Sequence, residues 1–323
     1  MKISGAKEIL RSCRLCPRRC GKNRLSGERG FCRQSEKAAV AAIVAHRGEE
    51  PPLSGSGGAG TVFLGGCTMA CIFCQNYQIS HYGGTCHEMP PRDLAAGFLD
   101  LEGQGCHCIE WVSPTPHIPA LIEALAEARG MGLSLPVVYN TNGYLSAESL
   151  ELLEGIVDVY LPDMKYACGL QAQELSGTAD YIFHNRLAVT AMYRQRGPLV
   201  STARGTAARG LLVRILLLPS RLEGAEETLA WIRDELGTEV PLSLMSQYLP
   251  LFKARGNPLM GKPLERRRKG EIIKKALSMG FSNLYVQGRN TGRLFIPDFT
   301  KTNPFESEEE REAAGSPLSP DRA

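Results

Sequence analysis

The sequence predicts an α/β protein built as a partial barrel of the (β/α)6 type. Short β-branched or apolar runs alternate with amphipathic helical segments, a pattern typical of parallel strands joined by crossover helices. Runs such as "LLVRILLL" are apolar almost throughout, as strands are when both of their faces are covered. Polar residues or cysteines follow several of these runs, and barrel folds collect their chemistry at the C-terminal ends of their strands.

Seven runs are the predicted strands, of which the last is the weakest: 60–66, 108–113, 135–140, 157–162, 211–219, 241–248 and 283–287. Helical periodicity separates them, and each helical segment ends near a glycine that can cap it. These segments are "PHIPALIEALAEARG", "SAESLELLEG", "TADYIFHNRLAVTAMYRQRG", "GAEETLAWIRDELG" and "PLERRRKGEIIKKALSMG". The basic residues of the last segment are predicted to form a solvated helix face.

Three regions are predicted along the chain. Residues 1–58 form a small Cys-rich N-terminal extension that binds metal, 59–300 form the barrel, and 301–323 form a disordered tail. The tail is predicted because "NPFESEEEREAAGSPLSPDRA" is charged and then rich in Ser, Pro and Gly, without apolar periodicity.

The composition is that of an ordinary globular protein, with 323 residues of which 43% are hydrophobic and 22% charged. A net charge of +3 is too small to indicate a nucleic acid or a membrane surface as partner. The N-terminus has no apolar signal-peptide core, and the apolar run 38–45 is too short to span a bilayer. We therefore expect a cytoplasmic protein whose eleven cysteines bind metal or do chemistry rather than form disulfides.

The stretch "CTMACIFCQN" places Cys67, Cys71 and Cys74 in one short loop after the first predicted strand. A structural zinc site typically takes four ligands from two separated pairs. Three thiolates can instead hold three irons of a [4Fe–4S] cluster, leaving the fourth iron open to an exogenous chelate. The alternatives are buried core cysteines or a partial zinc site.

The C-x3-C-x2-C spacing, with the aromatic Phe73 just before the last cysteine, resembles the signature of the radical S-adenosylmethionine (SAM) enzymes. The segments "VSPTPHIPALIEAL", "VVYNTNGY", "VDVYLPDMKY" and "SLMSQYLP" extend the resemblance to the branch labelled pyruvate formate-lyase activating enzyme-like, over residues 13 to about 300. The resemblance implies that the open iron binds SAM, and that a reduced cluster cleaves it to a 5′-deoxyadenosyl radical that abstracts hydrogen.

The resemblance also implies an electron donor such as flavodoxin or ferredoxin, and a protein substrate if the chain activates a glycyl radical enzyme. Modification of a peptide or an RNA by the same radical chemistry is one alternative, although the chain's charge gives nucleic acid little support. A non-catalytic metal-binding protein that uses its cysteines structurally is the other.

Five further residues are assigned to SAM or a cation by the same resemblance. The activases carry a Gly-Gly-Glu type segment after the second strand, where this chain reads "VSPTP", so the SAM amino group must be contacted by a backbone carbonyl or by Ser113. Asn140 and Thr141, then Asp163 and Lys165, match positions near the methionine carboxylate and a monovalent cation. Lys165 can neutralise a carboxylate and Asp163 suits a hard cation, whereas the alternative is a surface ion pair between them.

The N-terminal segment "CRLCPRRCGKNRLSGERGFC" places Cys13, Cys16, Cys20 and Cys32 as C-x2-C-x3-C-x11-C. Four thiols satisfy a tetrahedral metal completely. The site is predicted to hold zinc, which would fold this short segment, or an auxiliary [4Fe–4S] cluster.

Overall fold

The structure is a computed structural model, and it describes residues 3–81, 85–286 and 296–305. Its strands are β1 (Ala38–His46), β2 (Ala59–Leu64), β3 (His87–Met89), β4 (Ile109–Val112), β5 (Val137–Thr141), β6 (Val159–Pro162), β7 (Val200–Ser201), β8 (Ala207–Leu211), β9 (Val213–Leu216), β10 (Leu242–Met245) and β11 (Leu284–Val286). Its α-helices are α1 (Ile3–Ala6), α2 (Pro51–Ser54), α3 (Tyr77–Ser80), α4 (Pro91–Gly103), α5 (Ile118–Gly130), α6 (Ala147–Leu153), α7 (Gly169–Ser176), α8 (Tyr181–Arg196), α9 (Ala225–Leu236) and α10 (Arg268–Ser278).

Parallel strands form the predicted partial barrel. Strands β2, β4, β5, β6 and β8 are neighbours in one sheet, and β9, β10 and β11 form a second. Only Leu212 separates β8 from β9; its N–H donates to the Tyr160 carbonyl at 3.0 Å, and the N–H of Val213 donates to the Pro241 carbonyl at 3.1 Å. The extended segment formed by β8 and β9 therefore pairs first with β6 of one sheet and then with β10 of the other. The parallel pairing of these strands confirms the predicted α/β class.

Alternate side chains of the strands face the helices and the barrel interior, as the period of a β-strand requires. Trp111, Tyr139 and Tyr160 belong to the main core that the helices cover. Val138 and Leu161 belong to a separate inner cluster. Other members of that cluster begin strands, including Ala59, Val159 and Ala207. It therefore fills the end of the barrel where the strands start, and leaves the other end to polar residues.

Strand β1 extends the parallel sheet with antiparallel pairing to β2, from Val40 opposite Leu64 to His46 opposite Ala59, and β3 pairs with β1 in turn. The sequence pattern did not predict β1, because its segment "AAVAAIVAH" is rich in alanine, a residue depleted in strands. The domain boundaries at 58/59 and 300/301 stay predictions. Most of the predicted tail, 306–323, lies outside the described residues, while the ring of Phe305 stacks on His46 at 4.0 Å between centroids.

The helical segments predicted from periodicity correspond to α5, α6, α8, α9 and α10. One part of the prediction for α10 was wrong. Arg268 was predicted to lie on a solvated face, but its side chain is fully buried. Its guanidinium lies 2.6 Å from carboxylate oxygens of both Glu223 and Glu226 on the neighbouring segment. The two carboxylates compensate the charge of this buried arginine, which would otherwise be strongly destabilising.

Candidate active site

The loop that follows β2 carries the three predicted cluster ligands and is held from two sides. The chain turns through Gly66 with φ +69°, a left-handed conformation that favours glycine. A Cβ atom at Gly66 would also lie 2.6 Å from the carbonyl oxygen of Cys32 in the N-terminal extension. On the other side, the N–H of Ala70 donates to the Ser176 carbonyl at the end of α7, at 3.0 Å.

Each of the three cysteine sulfurs has a hydrogen-bonding neighbour outside the cysteine loop, the nearest in sequence being Ser80 of α3. Asn142 Nδ2 donates to Cys67 Sγ at 3.3 Å, Ser176 Oγ donates to Cys71 Sγ at 2.9 Å, and Ser80 Oγ lies 3.1 Å from Cys74 Sγ. Hydrogen bonds to sulfur orient metal-bound thiolates and tune the potential of an iron–sulfur cluster.

The thiols are buried deeply enough to resist ionisation on their own. Burial raises the pKa of Cys67 to about 11 and that of Cys74 to about 12. Burial also raises the pKa of Cys71, although the nearby ammonium of Lys165 opposes the shift. Because metal-bound cysteines are thiolates, metal binding at this loop must be coupled to the loss of these protons.

The donor set fits a cubane cluster better than a single ion. Among the described residues, no three His, Cys, Asp or Glu side chains come close enough to share one metal ion. A [4Fe–4S] cluster spreads its thiolate ligands over different irons. Three soft sulfur donors on one loop, each with a hydrogen-bonding neighbour, are suited to such a cluster.

The three cysteines line one cavity of about 550 Å³, a volume within the range of small-molecule sites. Four of the predicted SAM or cation residues line the same cavity from the ends of three successive barrel strands: Ser113 after β4, Asn140 in β5, and Asp163 and Lys165 after β6. The predicted aromatic residue, Phe73, also lines it and packs edge-on against Tyr166 and Tyr248, with ring centroids 6.5 and 6.3 Å away.

Ser113 and Thr141 occupy contrasting places at the ends of β4 and β5. Ser113 has φ +59°, an unusual backbone conformation for a residue with a side chain, and its N–H donates to the Asn140 carbonyl at 3.0 Å. The Thr141 side chain does not line the cavity; its hydroxyl accepts the N–H of Gly143 at 3.2 Å and supports the turn after β5. The structure therefore brings Ser113 to the cavity and gives Thr141 a supporting contact.

Asp163 and Lys165 form an ion pair inside the cavity. Lys165 Nζ lies 2.6 Å from Asp163 Oδ2, and the two side chains are only 15% and 12% exposed. Burial opposes the ionisation of Asp163, but Arg214 and Lys165 outweigh it and lower the pKa of that carboxyl. Burial likewise opposes the charge on Lys165, and Asp163 reverses the effect and raises its pKa. Both groups are therefore charged at neutral pH.

Arg214 is the central cation of the cavity and was not singled out from the sequence. Its Nε donates to Asp163 Oδ1 at 2.9 Å, its Nη2 donates to Asn140 Oδ1, and its Nη1 lies 3.5 Å from Glu49. Asn140 in turn donates through Nδ2 to Glu110 Oε1 at 2.6 Å. Arg214 thereby connects strand ends of the first sheet with β9 of the second.

The four N-terminal cysteines surround one small cavity that Thr68 of the cluster loop also lines. Burial raises the pKa of Cys16 to about 12 and also raises that of Cys32. The neighbouring Arg18 donates through Nε to the Thr68 carbonyl at 2.7 Å. The structure thus brings Cys13, Cys16, Cys20 and Cys32 together, and it sets them directly beside the predicted cluster loop.

Several residues of the site were missed by sequence reasoning. Asn142, Ser80 and Ser176 contact the sulfurs but belong to ordinary polar segments, so no spacing indicates their role. Arg214 and Glu110 offered a signal, since each is a lone charge inside a run that otherwise reads as a buried strand, "LLVRILLL" and "CIEWVS". A charge in such a place must have a buried partner or a ligand.

Comparison with known proteins agrees with this site. The family model of the Radical SAM superfamily matches residues 61–167, which include the cysteine loop, Ser113, Asn140, Asp163 and Lys165. Among the described residues, no helix has the length and apolar character required to cross a membrane.

Two relatives come from Methanocaldococcus jannaschii. Uncharacterized protein MJ0674 is 31% identical over 291 residues, covering 86% of this chain and 77% of its own length. Uncharacterized protein MJ0808 is 25% identical over 306 residues, covering 86% and 83%. A solved structure, Streptococcus suis SuiB bound to precursor peptide SuiA, aligns with a TM-score of 0.49 at 12% identity, over 76% of this chain and 52% of that one.

The chain belongs to the radical SAM superfamily. Membership implies a [4Fe–4S] cluster and SAM, and Cys67, Cys71 and Cys74 are the residues that fit the cluster.

Proposed function

We propose that this protein is a radical SAM enzyme that reductively cleaves SAM and abstracts a hydrogen atom from a substrate held in the same cavity. The observation that carries the proposal is the position of the three thiols on the wall of a cavity of about 550 Å³ that Ser113, Asn140, Asp163 and Lys165 also line. When bound, the cluster supplies the electron that cleaves SAM to methionine and a 5′-deoxyadenosyl radical.

The residues of the chain hold and orient the reactants. Lys165 offers an ammonium group to the methionine carboxylate, and the ion pair with Asp163 fixes the position of that ammonium. The backbone at Ser113, with φ +59°, presents its carbonyl or hydroxyl to the SAM amino group. Asp163 has both carboxylate oxygens occupied by Lys165 and Arg214, and the monovalent cation near it stays a prediction.

The test is SAM cleavage by anaerobically reconstituted protein reduced with dithionite. We expect 5′-deoxyadenosine from the wild type, at least tenfold less from Cys71→Ala, and an unchanged yield from Cys168→Ala, because Cys168 is exposed on the surface. The EPR spectrum of the reduced cluster should shift when SAM is added. Equal product from the wild type and Cys71→Ala would instead favour the non-catalytic metal-binding protein.

The substrate we propose is a protein, with activation of a glycyl radical enzyme as the specific case. The support is the resemblance of five segments, from the cysteine loop to "SLMSQYLP", to the activating-enzyme-like branch. The test is a glycyl radical EPR signal on a candidate partner protein incubated with the reduced enzyme and SAM. Deuterium transfer into 5′-deoxyadenosine from a labelled peptide or RNA, without that signal, would assign the alternative substrates.

The electron donor we propose is a flavodoxin or ferredoxin, and the location the cytoplasm, where thiols that bind a cluster stay reduced. Reduced flavodoxin should replace dithionite in the cleavage assay. If neither carrier supports turnover while dithionite does, another donor is needed.

The second metal site we propose is formed by Cys13, Cys16, Cys20 and Cys32, and holds an auxiliary cluster, or zinc if the four thiols move closer together than the described residues place them. Its support is the convergence of four buried or half-buried thiols on one small cavity. Iron and zinc analysis of a protein with Cys67, Cys71 and Cys74 all changed to alanine reports what this site binds. Absence of both metals from that folded variant would remove the proposal.

A further inference from the structure

The cavity has an acidic side that the chemistry of SAM cleavage does not use. Glu49 and Glu50 follow β1 and line the cavity. Glu110 on β4 lies behind Asn140, a residue that lines the cavity, and accepts a hydrogen bond from it. We call Glu49, Glu50 and Glu110 the acidic wall. It comes from the loop after β1 and from an inward-facing strand position, away from the cysteine loop in sequence.

Within the described part of the chain, few cations lie near the acidic wall. Arg214 lies 3.5 Å from Glu49, but its other nitrogens donate to Asp163 and Asn140. Lys165 is paired with Asp163. Among the described residues, the carboxyls of the wall and Asp163 therefore lie near two cations, Arg214 and Lys165, and burial raises the pKa of Glu110 to about 7, which suppresses its charge.

The other described bases that line this side of the cavity, His46 and Arg47, add little positive charge. His46 lies 4.0 Å from Glu49, but burial lowers the pKa of its imidazole to about 4, so it is neutral. Arg47 lines the cavity but is exposed, and solvent screens its charge. Burial and the neighbouring carboxyls Glu110 and Glu50 raise the pKa of Glu49 well above its usual range.

Glu50 provides an independent sign that a ligand belongs here. The residue is only 9% exposed and lines the cavity. Its Oε2 atom has no hydrogen-bond partner among the described residues, although buried carboxylate oxygens are nearly always bonded. Glu110, by contrast, is satisfied by Thr61 at 3.1 Å and Asn140 at 2.6 Å. Glu50 Oε2 is therefore an acceptor for which the described residues supply no donor.

We propose that the acidic wall binds a protonated nitrogen of the substrate, such as an amine, an amidine or a guanidine. A cationic N–H group supplies the missing donor to Glu50 and favours the ionised form of the carboxyls around it, whereas a carboxylate or phosphate would be disfavoured beside them. The cavity also has an apolar lining that includes Phe63, Val112, Leu216 and Met245, which suits the carbon skeleton of the ligand. This inference rests on the proposed function only in placing the substrate in the cavity that SAM shares.

The test is equilibrium binding of three probes of similar shape to the reconstituted protein with SAM present: benzylamine, benzyl alcohol and benzoate. We expect benzylamine to bind about tenfold more tightly than benzyl alcohol, the usual scale of a charged hydrogen bond, and benzoate more weakly than both. Glu50→Gln should weaken benzylamine about tenfold and leave benzyl alcohol unchanged. Glu174→Gln, the same change on the exposed surface of α7, should alter neither.

Benzoate binding as tight as benzylamine, or benzylamine binding that Glu50→Gln leaves unchanged, would overturn the inference. If Glu50→Gln does not fold, as judged by circular dichroism, the ranking of the three probes on the wild type decides alone. The assay of 5′-deoxyadenosine on the wild type is separate: product without amine selectivity rejects only this inference, and amine selectivity without product rejects only the proposed function.

Discussion

Arg214 and Asp163 join the two sheets of the barrel twice. Their backbones form a parallel bridge, and the guanidinium Nε donates to the carboxylate at 2.9 Å. The same pair stands beside Lys165 on the wall of the cavity, so a contact that closes the barrel also fixes the charges of the site.

Removal of Arg214 should therefore affect stability as well as the site. Arg214→Leu removes the described cation beside Glu49 and leaves Asp163 with Lys165 alone, and we expect the free energy of unfolding to fall by about 3 to 5 kcal/mol. Arg214→Lys should recover only part of this, because an ammonium cannot reach both Asp163 and Asn140 as a planar guanidinium does. Denaturant unfolding under anaerobic conditions measures the change, and the exposed Arg204→Leu is the control. An equal loss in both leucine variants would contradict the assignment.

Ser176 is predicted to stabilise the cluster through its hydrogen bond to Cys71. Ser176→Ala removes the donor at 2.9 Å while leaving a small residue in place. We expect about tenfold slower formation of 5′-deoxyadenosine or faster loss of iron to a chelator, the usual scale for an outer hydrogen bond to a metal ligand. Ser278→Ala removes an exposed hydroxyl that donates to a backbone carbonyl and should leave both rates unchanged. Identical behaviour of the two variants would show that this bond does not matter.

Gly30 should be required by the N-terminal site. A Cβ atom there would collide with the sulfur of Cys20, so Gly30→Ala must displace that ligand. We expect this variant to lose metal from the N-terminal site while keeping the iron held by the loop at Cys67. Gly103→Ala, where no atom lies within 4 Å of the added carbon, is the matched control. Metal content of purified proteins is the measurement, and full metal in Gly30→Ala would contradict the prediction.

His117 should make stability depend on pH. It is fully buried, its Nε2–H donates to the Gly65 carbonyl at 2.7 Å, and burial lowers its pKa to about 4. Because the unfolded chain binds this proton near pH 6.5, stability present above that pH is lost as the pH falls towards 4, by up to about 3 kcal/mol. The stability gap between the wild type and His117→Gln should narrow over this window in denaturant titrations. A stability gap that stays constant over this pH range would show that His117 binds its proton equally in the folded and unfolded chains, contrary to the prediction.

The sequence could indicate the parts of the site that depend on local spacing. Cys67, Cys71 and Cys74 share one loop, and Asn140, Asp163 and Lys165 follow strands, so that both could be placed at one end of a parallel barrel. The partners of those residues could not be found in this way. Ser176 reaches Cys71 across 105 positions and Arg214 reaches Asp163 across 51, and such pairings exist only once the strands are arranged in space.

The burial of charged residues was the second feature that could not be predicted from the sequence. The basic run in α10 has the composition of a solvated surface, yet Arg268 is buried because Glu223 and Glu226 lie opposite it in the folded chain. Strand β1 was missed for a related reason. Its alanines have little tendency to form a strand alone, and pairing with the edge of β2 determines their conformation.

The turn at Gly66 has a consequence for how the protein matures. The backbone of that turn sits against the Cys32 carbonyl with no room for a side chain, and Arg18 holds the next part of the loop through Thr68. The loop with Cys67, Cys71 and Cys74 therefore takes its shape from the N-terminal extension, which must itself fold around its four cysteines. We expect iron to bind Cys67, Cys71 and Cys74 only after the N-terminal cysteines have bound their metal. Oxidation of the N-terminal cysteines would then also prevent the loop from binding its cluster.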